Sequence, residues 1–89
     1  MAKYLVTYDL SKPGQNYDDL TEHLKAYGTY SHSLQSVWLI VTDKTAKEVR
    51  EAAQAYMDAN DKVLVVGLTG EASWRNLRET TSDWIHKNL

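Results

Sequence analysis

Few side chains in this sequence can do chemistry, and the first of them is Asp9. It lies at the end of the stretch Lys-Tyr-Leu-Val-Thr-Tyr-Asp-Leu, residues 3–10, directly before Ser11-Lys12-Pro13-Gly14. A carboxylate at a strand end is held by a rigid element and still reaches water. Doubled by a two-fold axis, it could bind Mg²⁺ or Mn²⁺ through oxygen and water ligands. Such an ion activates water and offsets charge on a phosphodiester undergoing cleavage. The same position also suits a plainer job, capping the turn over residues 11–14 through local hydrogen bonds. Ser11 and Lys12 stand close enough in sequence to touch a phosphate near Asp9, although one glycine and one lysine fall far short of a P-loop.

The three histidines, His23, His32 and His86, have no metal-ligand spacing. His32, beside Tyr30, Ser31 and Ser33, is a candidate general acid or base if its strand neighbours the one that carries Asp9. The alternative is a solvated strand histidine. His23 falls on the polar flank of a helix, with no special task expected. Arg75 and Arg78, beside Trp74, are candidates for a small nucleic-acid contact with stacking, or else form a solvated surface turn. There are no cysteines, which excludes disulfides, thiolate catalysis and cysteine zinc sites.

The elements that must position these residues read clearly in places. Residues 3–10 are rich in β-branched and aromatic types and predict a central strand. Tyr17, Leu20, Leu24 and Tyr27 mark one face of a helix, with Asn16 as the expected N-cap and Gly28 as the stop. A weaker strand over 29–34 turns at Gln35-Ser36 into an apolar strand over 37–42, whose two faces should both be covered. Thr45-Ala-Lys-Glu48 is a capping box opening a second helix with Ala46, Val49, Ala53, Tyr56 and Met57 as its apolar stripe. Residues 62–68 read as another buried strand, and a short last helix is expected from near Ser82, with Trp84, Ile85 and Leu89 on its apolar side.

Strand, helix, strand, strand, helix, strand is the split βαβ pattern. It predicts an α+β, ferredoxin-like sandwich in which an antiparallel sheet carries both helices on one face. Right-handed crossovers should set the first and last strands in or next to the middle of that sheet. The other face is left open and apolar, and a patch of that kind usually marks an interface. A homodimer through the open face or edge strands follows, with Trp74 and Trp84 closing its rim. The alternative is that residues 70–89 fold back over the face within one chain.

The totals agree with one small domain spanning residues 1–89. The chain has 89 residues, 43% hydrophobic and 25% charged, and a formal net charge of −2. That balance argues against a broad non-specific grip on nucleic acid, which needs many cations on one face. No apolar run approaches the roughly 20 residues that span a bilayer, and none resembles a signal peptide, so no membrane association and a cytoplasmic location are expected. Six tyrosines and three tryptophans without a phenylalanine favour core edges and interfaces.

The N-terminal Tyr-Leu-Val-Thr-Tyr-Asp-Leu, the Lys-Pro-Gly-Gln loop, Ser-Val-Trp-Leu-Ile and Asn-Asp-Lys-Val-Leu-Val-Val together resemble small bacterial and phage proteins of the SinR family. That family is in turn similar to the ferredoxin-like, dimeric CRISPR-associated proteins at the centre of the spacer-integration complex, and to VapD toxins. The first likeness covers nearly the whole chain; the second covers the fold and Asp9. It implies a nucleic-acid-handling dimer, acting on RNA or DNA in defence or a toxin–antitoxin system, with Asp9 as the metal ligand of an endonuclease. The family commonly follows its aspartate with a basic loop, whereas here Lys12 is the single cation. The sequence therefore also admits a non-catalytic module that binds a protein partner through its Trp and Tyr surface.

Overall fold

The computed structural model describes residues 1–11 and 17–89. The elements are β1 (Ala2–Asp9), α1 (Asp18–Lys25), β2 (Tyr30–Leu34), β3 (Val37–Thr42), α2 (Ala46–Gln54), β4 (Lys62–Gly67) and α3 (Glu79–Asn88). The four strands form one antiparallel sheet in the order β2-β3-β1-β4. Each helical crossover thus passes over one intervening strand, and β1 and β3 are internal.

Alternation along the strands sorts the side chains into two layers. On one face, Tyr4 and Val6 of β1 and Trp38 and Ile40 of β3 join Leu20 and Leu24 of α1 and Val49 and Ala53 of α2 in a single buried cluster. Helix α1 ends as its glycine predicts: Gly28 takes φ +82°, where a side chain would be strained. Its other end differs. The N-cap position belongs to Tyr17, and Asn16, the expected cap, lies outside the described residues. The capping box of α2 is complete, with Glu48 N donating to the Thr45 hydroxyl at 3.2 Å and Thr45 N to the Glu48 carboxylate at 2.9 Å. Those bonds hold the Glu48 carboxyl below its ordinary value, the Thr45 backbone N–H contributing most.

The opposite face is covered unevenly. Ser31, Leu39, Leu5 and Val66 form one cross-strand row from β2 to β4. Ser31 and Leu39 are buried at 8% and 7% exposure, Leu5 is half-buried, and Val66 is 42% exposed. Helix α3 lies against β2 and buries Thr81 and Ile85. The C-terminal segment therefore does fold back, but over half of the sheet only.

Two expectations need correction. Strand β4 is not buried: it is an edge strand, with Leu64 57% exposed beside Val66. A run of Val and Leu reads alike whether one face or two are covered. Helix α3 starts at Glu79, three residues before Ser82, because two β-branched threonines hide its first turn. Trp74 and Trp84 both engage this chain's own helix region: the Trp74 indole N–H donates to the Ser82 hydroxyl at 3.2 Å, and Trp84 lines a groove with β2. Among the described residues, no helix is long and apolar enough to cross a membrane.

Candidate functional site

Asp9 is the last residue of β1 and is exposed. It shares its face with Leu5 and Thr7, pairs in register with Lys62 of β4, and borders a shallow recess with Thr7, Lys62 and Leu64. A rigid internal strand thus presents one carboxylate to solvent beside one ammonium. Among the described residues, no three His, Cys, Asp or Glu side chains gather into a metal-holding group.

Ser11 follows at the same end of the sheet, but its donors are engaged. Its backbone N–H and hydroxyl both donate to one Asp61 carboxylate oxygen, at 2.7 and 2.9 Å. The Tyr17 hydroxyl donates to the other oxygen at 3.1 Å, and the backbone N–H of Asp58 does so at 2.8 Å. Asp61 is therefore a latch joining the segment after β1, the entry to α1 and the turn before β4. These donors, the Ser11 backbone N–H first, pull its carboxyl from 3.8 down to about 2. Asp61 reads in the sequence as a turn residue, and nothing local shows that its partners lie 44 and 50 positions away. Lys12 lies outside the described residues.

His32 does not join Asp9. Strand β2 pairs with β3, not β1. The imidazole stacks on the Trp38 indole at 4.0 Å and 10° between planes, on the face that carries α1 and α2. Its Nε2 lies 3.0 Å from the Gln35 carbonyl oxygen, closing the hairpin turn. Asp9 and His32 thus occupy opposite faces with β3 between them, and the condition on which His32 was a candidate acid or base, neighbouring strands, is not met.

Arg78 is also drawn to this hairpin, its guanidinium donating to the His32 carbonyl at 2.7 Å. Arg75 is exposed in the turn before it. The Trp74 ring, half-buried and edge-on to His86 at 5.0 Å, stands inside the chain's own packing beside the two arginines. His23 is more engaged than its polar flank implied. It stacks on Tyr56 at 4.9 Å and meets Tyr27 edge-on at 5.5 Å. Burial lowers the His23 pKa and raises that of Tyr27. No family model matches the chain.

Proposed function

We propose that the protein is a ferredoxin-like homodimer that handles nucleic acid, akin to the CRISPR-associated and VapD proteins its sequence resembles. In this reading Asp9 is the metal ligand of a weak Mg²⁺- or Mn²⁺-dependent endonuclease. The strand order β2-β3-β1-β4, with α1 and α2 on one face, supports the fold. The observation that carries the function is Asp9 itself, exposed at the end of an internal strand with Lys62 opposite. A bound divalent ion would supply water activation there. Asp9 would hold it together with the Asp9 of a second copy, and Lys62 would meet the phosphate.

A second reading has its own support. The bare half of the sheet carries Leu64 and Val66, and the net charge is −2. Both suit a non-catalytic module of a phage, defence or toxin–antitoxin system that binds a protein partner.

Incubating labelled RNA and DNA with the protein, in Mg²⁺, Mn²⁺ or EDTA, separates the two. Cleavage that disappears in EDTA and in Asp9→Ala supports the nuclease. Equal cleavage by Asp9→Ala overturns it, and no cleavage or binding of either polymer leaves the interaction module.

A further inference from the structure

The two edges of the sheet are finished differently. Along β2 the register with β3 slips between Ser31 and Leu34, α3 packs beside the strand, and Arg78 donates to its His32 carbonyl. An irregular, covered edge of this kind resists pairing with another chain. Strand β4 has neither protection. Its pairing with β1 runs without a slip from Lys62 to Gly67, and it holds no proline. Among the described residues β1 is its only partner strand.

The register shows what this edge offers. Leu68 N donates to Lys3 O at 2.9 Å, so Val66, Leu64 and Lys62, spaced by two, also turn their backbone groups towards β1. Val63, Val65 and Gly67 therefore turn theirs outwards, three donors and three acceptors in one row. The Val63 and Val65 side chains share the helix face with Tyr8 and Val6, whereas Leu64 and Val66 stand exposed on the other. Helix α2 packs against β4 and contributes Ala46, Lys47 and Arg50. With Val63, Leu64 and Val65 they line an open groove of about 440 Å³ that has no carboxylate in its lining. Glu51 lies 3.8 and 3.6 Å from the two cations, but all three groups are exposed, so the contacts are weak. Two cations against one carboxylate leave the groove positive.

We propose that β4 accepts an extended segment of a partner protein as a fifth strand, one that alternates apolar and acidic residues. Its backbone bonds to Val63, Val65 and Gly67. Its acidic side chains lie on the helix face beside Lys47 and Arg50, and its apolar ones prolong the row of Leu64 and Val66. A second copy suits the edge poorly, because pairing two β4 strands about a two-fold axis brings four of these cations together. The proposal rests on the interaction-module reading, in which the partner is a protein, and places that partner on the edge rather than the bare face.

The test titrates the intact protein with a short synthetic peptide of alternating valine and glutamate, and with its valine–lysine counterpart. Saturable binding of the glutamate peptide is expected, with slowed amide exchange at Val63, Val65 and Gly67. Val65→Pro removes an outward N–H that β1 does not use, and it should abolish binding. Lys47→Glu with Arg50→Glu, both on the exposed side of α2, should weaken binding about tenfold. This charge-reversed variant decides the matter if the proline variant does not fold. Equal binding of the lysine peptide, or undiminished binding by a folded Val65→Pro, overturns the proposal. A response confined to the Leu64 and Val66 methyls, with Val63 and Val65 exchanging as before, puts the partner on the bare face. That outcome overturns the edge and leaves the interaction module standing. Loss of a parent dimer in Val65→Pro gives the edge to a second copy and also overturns the proposal.

Discussion

The indole N–H of Trp38 donates a 3.0 Å hydrogen bond to the hydroxyl of Tyr8, joining β3 to β1 at the rim of the core. Trp38 is fully buried, so its donor has no water to turn to. In Tyr8→Phe that donor is left unpaired, at a cost of about 1–3 kcal/mol. Urea unfolding followed by tryptophan emission checks this. A midpoint equal to that of the parent would mean the bond adds nothing.

Asp61 makes the fold sensitive to acid. Its carboxyl titrates near 3.8 when unfolded and about 2 when folded, so the folded state favours the charged form. That contribution is complete above the unfolded value and is lost as pH falls through the folded one. Melting temperature should therefore drop over this window in the parent, and less steeply in Asp61→Asn. Parallel curves for the two proteins would remove Asp61 as the cause.

His23 acts at higher pH. Burial between Tyr27 and Tyr56 lowers its folded pKa below the ordinary 6.5. The unfolded chain binds the proton more readily, so stability is full above the unfolded value and declines as pH falls through the folded one. His23→Phe keeps a ring against Tyr56 and removes the titration. Denaturation midpoints from neutral pH to about pH 5 should slope in the parent and flatten in the variant.

Leu64 tests the proposed dimer without disturbing the core. It is 57% exposed on β4, so Leu64→Asn should change the stability of a single chain by no more than about 0.5 kcal/mol. If the bare half of the sheet joins two copies, light scattering gives twice the chain mass for the parent and a smaller mass for the variant. A parent at the mass of one chain would refute the pairing.

Local chemistry made much of the fold legible. Thr45 and Glu48 form their box within four residues, Gly28 must be where φ is positive, and the Gln35-Ser36 turn joins adjacent strands. The sequence says less wherever distant segments meet. Val63 to Val66 is equally apolar on an internal or an edge strand, so the exposure of β4 depended on strand order. Asp9 was correctly placed at a strand end, yet the separation of His32 from it hinged on β3 lying between their strands. The Asp61 latch was hidden for the same reason, since its partners are set by tertiary contact rather than spacing.

The half-cover that α3 gives the sheet limits how copies can add to one another. Among the described residues, α3 shields Ser31 and Leu39, while Leu64 and Val66 on β4 and Leu34 at the end of β2 stay exposed on this face. The proposed pair would close about a two-fold axis, because a self-complementary contact closes on itself. Without α3, Ser31 and Leu39 would be bared as well, and the apolar area of this face would extend across β3. In the proposed dimer the last helix would thus narrow the contact between copies as well as complete the fold.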